Sequence, residues 1–558
     1  MREKEEKIMK MKKLVALCLA GAMALSVVAC GGGNKEGNSK TAGSFPGTKD
    51  KDMVTVDLRT EPAELNSIKT SDVPSGDILR MVISGLYKLD ENDKPVPDLA
   101  EDTKVSEDGK TYTMKIRQDA KWSNGEPVTA HDFVFAYQTI SKKDTGSVYG
   151  FIVYQNLLNG QEVFDGKKDP SELGVKALDD YTLEVTFVNP IPYALHLFSF
   201  SSFYPMNQKA YEEIGAEKYA KDADKIVTNG AYTIEEWVHD DHITLAKNED
   251  HYNAKNVSVP KVKYLMLKDG NARLNAFKAG QIDCINIAGE QMDQAKKEGM
   301  KLEKYVDNSN WYFQFNTQKK ELSNAKIRQA LGIAIDVESV CKNVIKTGAE
   351  PATGIVPTSI AGADGNSYAK TLGDITEYNT EKAKQLFDEG LKEIGMKAED
   401  FKISYLTEDS AGAQKEGAFY QEQWKKVLGI QVEIKPMPFK AKLAAMDAGE
   451  FDIVFAGWSP DYNDPMTYLD MFATGNGNNY GKYSSAEYDK LIADATKEVD
   501  KVKRQEMLME AEKIAVQKDA AIFPLYFQSV TYTVSDKLEG MTRTGFQEFD
   551  FTDGAKIK

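Results

Sequence analysis

Short strand patterns alternate with longer helical patterns between residues 311 and 525. The strand pattern WYFQFN at 311–316 precedes helical periodicity in AKIRQALGIAID at 325–336 and TEKAKQLFDEGLKEIG at 380–395, and EFDIVF at 450–455 has the composition of another buried strand. Apolar residues that recur every three or four positions predict amphipathic helices, whereas short β-branched or aromatic runs predict buried strands. Because this alternation is typical of folds in which helices cover a sheet, we predict the α/β fold class.

The first half of the chain contains more strand patterns, with alternating apolar and polar residues. They are MVTVDLR, TYTMKIR, YTLEVTFV, AYTIEEWV and HITLAKN, at 53–59, 111–117, 181–188, 231–238 and 242–248. A chain of 558 residues is too long for a single hydrophobic core, so two or three domains are expected.

The N-terminus differs in composition from everything that follows. A charged run precedes the apolar stretch LVALCLAGAMALSVVA at 14–29, and Cys30 is followed by three glycines. This pattern predicts a signal peptide at 1–29, and the residues around Cys30 resemble a bacterial lipobox. We expect a lipidated Cys30, a flexible tether at 30–50 and a lipid-anchored protein at the extracytoplasmic face of the cell membrane. A secretory signal with an incidental cysteine is the alternative, and Met9 or Met11 could be the true start.

Charge and cysteine content exclude several kinds of protein. The chain has 70 basic and 86 acidic residues, which argues against nucleic acid as a partner because phosphate binding needs clustered lysine and arginine. Apart from Cys18 in the leader and Cys30, the cysteines are Cys284 and Cys341. The sequence leaves open whether these two form one disulfide or remain buried thiols.

Catalytic and metal-binding motifs are absent or incomplete. GKT at 109–111 lacks the first glycine of a phosphate-binding loop because Lys104 occupies that position, and no G-x-S-x-G sequence occurs. The loop that begins at Asp461 has Phe472 where a calcium-binding loop needs glutamate. HDDH at 239–242 lies at a predicted turn, where charged side chains are usually solvated. We therefore predict no enzyme activity, no cofactor and no metal site.

Several blocks resemble the extracytoplasmic solute-binding proteins of ABC importers, in the large oligopeptide-binding class called family 5. They follow in the family's order along nearly the whole chain after the tether. The blocks are EPAELNSIKTSDVPSGDILRMVISGLYKLD, VSEDGKTYTMKIRQDAKWSNGEPVTAHDFVFAYQ, IVTNGAYTIEEWVHDDHITLAKNEDHYN, AFKAGQIDCINI, IRQALGIAID and QEQWKKVLGIQVEI.

The resemblance implies a bilobed periplasmic-binding-protein-like fold with an additional inserted domain. By this resemblance lobe I comprises 51–84, 208–308 and 527–558, the inserted domain comprises 85–207, and lobe II comprises 309–526. The ligand is then expected between the lobes, at the carboxyl ends of strands.

The resemblance also implies the peptide-binding residues. Asp461, in AGWSPDYNDP, matches the family's anchor for the peptide α-amine, and an enclosed carboxylate accepts strong charge-assisted hydrogen bonds from such a cation. Asp464 is expected to be a turn or strand-end residue instead. Backbone pairing with the ligand is expected from Ser71 to Val73 and from Gly457 to Ser459. Tyr149, Phe439 and Trp458 match positions that line side-chain pockets. The positions where some family members hold a basic residue for the ligand carboxylate contain Ala413, Met446 and Phe455, which favours longer or differently ended peptides.

These expectations identify the chain as the substrate-binding component of an oligopeptide importer. Its partners would be an oligopeptide, an ABC permease and an ATPase, with membrane contact through the lipid anchor only and a monomeric state. A signalling peptide, a nickel chelate or an oligosaccharide is the alternative ligand within the same fold. A secreted hydrolase that uses carboxylates is the alternative of another class.

Overall fold

The computed structural model describes residues 43–558 except Ser71, Ala288, Glu290, Gln547 and Glu548. The predicted signal peptide, Cys30 and the first part of the predicted tether therefore lie outside the described residues, as does Ser71. No helix in the described part of the chain combines the length and apolar character that spanning a bilayer needs.

The described residues form short strands and helices that follow one another along the chain. The strands are β1 Met53–Asp57, β2 Tyr87–Leu89, β3 Pro95–Pro97, β4 Ala100–Val105, β5 Thr111–Ile116, β6 Val175–Asp179, β7 Thr182–Thr186, β8 Tyr232–Val238, β9 His242–Lys247, β10 Lys261–Leu265, β11 Cys284–Ile287, β12 Leu302–Phe315, β13 Glu350–Pro351, β14 Ile403–Glu408, β15 Val432–Met437, β16 Ile453–Trp458, β17 Ile522–Val534, β18 Leu538–Glu539 and β19 Lys556–Ile557. The helices are α1 Val73–Val82, α2 Ala130–Ile140, α3 Gly150–Tyr154, α4 Gly160–Phe164, α5 Ala194–Leu197, α6 Gln208–Ile214, α7 Gly270–Lys278, α8 Met292–Lys297, α9 Ala325–Ile333, α10 Val337–Ser339, α11 Tyr368–Leu372, α12 Thr380–Glu393, α13 Ala411–Leu428, α14 Phe439–Ala448, α15 Met466–Leu469, α16 Ala486–Ala495 and α17 Lys501–Lys513.

Two long antiparallel strands, β12 and β17, connect the two halves of the main sheet. The first part of β12, residues 302–306, pairs with residues 529–533 of β17. Its last part, residues 310–314, pairs with residues 522–527 of β17. The pairing is interrupted between Val306 and Asn310, where Asn308 has a left-handed backbone (φ 63°). On one side of this pair the sheet continues through β16, β14 and β15, and on the other through β11, β1, β10, β9 and β8. The mixed α/β, bilobed fold predicted from the sequence is thereby confirmed.

The half of the sheet that contains β14, β15 and β16 has parallel pairing between these three strands. Their apolar faces pack against helices α9, α12 and α13 around a cluster of aromatic rings. Phe313 and Tyr420 are fully buried, and Trp424 is fixed there because its indole nitrogen donates a hydrogen bond to the Leu331 carbonyl at 2.8 Å. This packing holds β16, and therefore the loop that leaves its carboxyl end, in a fixed place.

A separate four-stranded antiparallel sheet, with the order β4-β5-β7-β6, forms between residues 100 and 186. Helix α2 packs on it, begins with a capping box between Thr129 and Asp132, and buries Phe133 and Tyr137. The limits of the inserted domain and of the two lobes stay a prediction.

Cys284 and Cys341 are both buried and carry free thiols, which answers the question that the sequence left open. Cys284 lies on β11, and Cys341 lies just after α10.

Candidate ligand-binding site

The loop after β16 is fixed at one end by a buried ion pair. Asp464 accepts hydrogen bonds from both terminal nitrogens of the Arg504 guanidinium at 2.8 Å each, and also one from the Met466 backbone nitrogen at 2.9 Å. Both side chains of the pair are buried. Because a bidentate guanidinium already compensates its charge, Asp464 stabilises the loop and does not need a cationic ligand.

Asp461 lies three residues earlier in the same loop and has different surroundings. No lysine, arginine or histidine of the described chain lies within ion-pair distance of its carboxylate. Burial raises the pKa of Asp461 to about 7, although a hydrogen bond donated by the Tyr149 hydroxyl partly counteracts this rise. Burial, and secondarily the charge of Asp461, raise the pKa of Tyr149 above its usual value, so the phenol stays a donor at neutral pH. A partly buried carboxylate without a cation is costly, and a bound cation would relieve that cost.

Asp461 lines a cavity of about 400 Å³. This volume is within the range of protein sites that bind small molecules. Its wall comes from distant parts of the chain, which include residues before and in α1, the segment after α5, the irregular part of β12 and the region after β18. Aromatic rings contribute much of the surface, namely Phe200, Tyr204, Tyr305, Phe546 and Phe549.

The structure brings four of the predicted site residues together at this cavity. Val73, Tyr149, Ser459 and Asp461 line it. Val73 is 55 % exposed at the start of α1, and Ser459 contacts the Ser309 hydroxyl at 2.7 Å.

Three other predicted contacts, Gly457, Trp458 and Phe439, lie outside the cavity wall, and their role in ligand binding stays a prediction. Trp458 uses its indole nitrogen within the protein, because it donates to the Thr467 hydroxyl at 3.2 Å. Phe439 is 57 % exposed at the start of α14.

Gly457 pairs with Trp311 of β12, and the indole ring of that residue covers it. A Cβ atom at position 457 would come within 2.7 Å of the ring. The glycine is therefore required by packing inside the protein, independently of any ligand.

Two further residues near the Asp461 loop, Tyr193 and Asp470, have no local signal in the sequence. Tyr193 stacks on Tyr462, with ring centroids 3.9 Å apart and an interplanar angle of 3°. Asp470 is partly buried; burial first, and then the negative charges of Asp461 and Asp464, raise its pKa to about 7. Neither Asp461 nor Asp470 has an ion-pair partner among the described residues, so a cationic ligand next to this loop would stabilise their ionised forms.

Together, the bilobed fold and a carboxylate-bearing cavity at the end of β16 define a solute-binding protein. The family model of the bacterial extracellular solute-binding proteins, family 5, matches residues 94–480. The chain belongs to this family.

Relatives with known names cover almost the whole chain. The oligopeptide-binding protein OppA of Bacillus subtilis is 33% identical over 550 residues, which is 96% of this chain and 98% of the relative. The crystal structure of Haemophilus influenzae OppA in complex with RPPGFSPFR is 28% identical, with a TM-score of 0.75, and covers 91% of this chain and 99% of its own. The periplasmic murein tripeptide-binding protein MppA, in an unliganded open form, is 27% identical with a TM-score of 0.75, and covers 93% of this chain and 99% of its own.

Proposed function

We propose that this protein is the substrate-binding component of an ABC-type oligopeptide importer, and that Asp461 binds the α-amine of an extended peptide. The observation that carries the proposal is a carboxylate that lines the cavity and has no cationic partner among the described residues. An α-ammonium group supplies both the missing charge and several hydrogen-bond donors. The Tyr149 hydroxyl, which donates to the carboxylate, leaves the second oxygen and the remaining lone pairs for the ligand.

Peptide backbone recognition is proposed at the edge of β16. Strand β14 pairs with β16 through Ile453 and Val454, and no described strand continues this pairing along Gly457 and Trp458. The backbone groups of Gly457 to Ser459 on that side are therefore available to an extended ligand, which would add to the sheet as a strand. Ser71 to Val73 would contact the ligand from the other lobe.

The site is proposed to accept longer or differently ended peptides. Phe455 stacks on Trp311, with centroids 4.9 Å apart and an interplanar angle of 9°, and Met446 is buried. Neither residue offers a positive charge to a ligand carboxylate. Lys442 lies 5.8 Å from the centre of the Phe455 ring, but its ammonium group is 3.1 Å from Glu408 and is compensated there.

The wider setting follows from the same proposal. Cleavage before Cys30 and lipidation of that residue would hold the protein at the extracytoplasmic face of the membrane, where it would deliver peptides as a monomer to a permease and an ATPase. It would bind without catalysis. Mass spectrometry of the mature N-terminus tests the anchor, because an unmodified Cys30 contradicts it.

Two measurements test the proposed function. The protein is purified without added ligand and denatured, and mass spectrometry of the released material should find intact peptides. Calorimetry with RPPGFSPFR and its C-terminal truncations should show binding that persists beyond three residues. A tight optimum at three residues would contradict the proposed length preference, cleavage of the peptides would favour a hydrolase, and release of a nickel chelate or an oligosaccharide would overturn the peptide assignment.

A further inference from the structure

Tyr193 contacts the Asp461 loop from a different part of the molecule. It directly precedes α5, in the chain segment that follows the separate four-stranded sheet. Its ring lies parallel to that of Tyr462, the residue next to Asp461, at a centroid distance of 3.9 Å. Tyr462 is only 9 % exposed, and the stack shields the two facing ring surfaces from water.

The same tyrosine lies near the ion pair that fixes the loop. The Arg504 guanidinium carbon is 6.0 Å from the centre of the Tyr193 ring, and Arg504 binds Asp464. Tyr193 therefore stacks on Tyr462, the residue after Asp461, and lies near the Asp464–Arg504 pair that fixes the same loop. It is not among the residues that line the cavity, so it has no direct contact with a ligand there.

A second link between the same two parts runs through Tyr149, which precedes α3, lines the cavity together with Asp461 and has its hydroxyl close enough to lower the pKa of that carboxyl. Tyr149 lies in the chain between β5 and β6 of the four-stranded sheet and Tyr193 follows its last strand, β7, whereas Asp461 and Tyr462 follow β16 of the main sheet. A rigid movement that separates these two parts would break the stack and the hydrogen bond together.

We propose that Tyr193 is a positioning residue whose stack with Tyr462 holds the cavity closed over a bound peptide and thereby sets the rate of peptide release. The inference rests on the proposed function. That an open form exists in the family is known from the unliganded structure of MppA. A contact that is present only in the closed form stabilises that form, and its loss increases the dissociation rate much more than it changes the association rate.

The test compares Tyr193→Leu, which removes the ring, with Tyr193→Phe, which keeps the ring and loses only the hydroxyl. Stopped-flow measurements with RPPGFSPFR should show that Tyr193→Leu dissociates about three- to tenfold faster, with an association rate within about twofold of the wild type. Tyr193→Phe should stay within about twofold for both rates. Small-angle X-ray scattering at saturating peptide should show a larger radius of gyration for Tyr193→Leu than for the wild type and for Tyr193→Phe.

A variant of the stacking partner, Tyr462, checks that the effect of Tyr193→Leu comes from loss of the stack and not from a folding defect. Tyr462→Leu removes the other ring of the stack, and because Tyr462 also lines the cavity it should accelerate release at least as much as Tyr193→Leu, whereas the double variant should release no faster than Tyr462→Leu alone. Equal dissociation rates for wild type and both leucine variants, or an equal acceleration in Tyr193→Phe, would overturn the inference while the proposed function stands. Failure of the wild type to bind this nonapeptide or any peptide that copurifies would instead overturn the proposed function.

Discussion

The substitution Asp461→Asn should weaken peptide binding and stabilise the empty protein at the same time. Asp461→Asn keeps the shape of the side chain and a hydrogen-bond acceptor for Tyr149, but it removes the charge. Loss of one member of a buried ion pair typically costs roughly 3–5 kcal/mol, which corresponds to about two to four powers of ten in affinity.

The effect on the empty protein has the opposite sign. Burial raises the pKa of Asp461 from 3.8 to about 7. Between these two pH values the folded protein keeps a proton on Asp461 that the unfolded protein releases. The free energy of unfolding of the empty protein therefore falls as the pH rises from about 4 to 7. At about 1.4 kcal/mol per pKa unit the full shift corresponds to roughly 4 kcal/mol. Water in an open cavity screens part of this cost, so at pH 8 we expect Asp461→Asn to stabilise the empty protein by about 1–3 kcal/mol.

Calorimetry with RPPGFSPFR and with its N-acetylated form measures the first effect, and urea unfolding of the empty protein measures the second. The variant should lose affinity for the free-amine peptide and keep that for the acetylated one. Asp464→Asn is the matched control: it breaks the pair with Arg504 and should destabilise the fold by about 3 kcal/mol. An equal loss of affinity for both peptides, or a destabilised Asp461→Asn protein, would refute the assigned role.

Three further predictions concern the same loop. Affinity for the free-amine peptide should fall about tenfold per pH unit below pH 7, because Asp461 must first lose its proton. It should fall again above about pH 8, because the peptide α-amine is neutralised there. Calorimetry from pH 5 to 9 that shows no affinity optimum between these limits would contradict this prediction. Tyr149→Phe removes the hydrogen bond that lowers the pKa of Asp461, so the acidic limb of that profile should move to higher pH, and an unchanged limb would show that the bond has no effect. Gly457→Ala places a methyl group 2.7 Å from the Trp311 ring and should destabilise the protein by about 1–3 kcal/mol in urea unfolding, whereas a change below about 0.5 kcal/mol would mean that the ring moves aside freely.

The sequence predicts the fold class well because its signals are local. Periodicity identifies the helices, as at TEKAKQLFDEGLKEIG, which forms α12, and the order of family blocks gives the bilobed architecture. The register of neighbouring strands is not local. That Trp311 lies opposite Gly457 depends on the pairing of β12 with β16, so the packing of this glycine against the ring could not be predicted from the sequence.

The same distinction applies to the candidate site. Asp461 could be singled out because a carboxylate follows a buried strand in a recognisable block. Tyr193 and Arg504 lie far from it in the chain, in segments whose composition is unremarkable, and only the tertiary structure brings them to its loop. The difference in environment between Asp461 and Asp464, three residues apart, likewise depends on the arrival of Arg504.

The most direct test is a crystal structure of the protein with a bound free-amine peptide. The peptide nitrogen should lie about 2.7–3.2 Å from a carboxylate oxygen of Asp461, with the ligand backbone running along the edge of β16. A peptide whose amino end lies elsewhere, with Asp461 facing open solvent, would contradict the account.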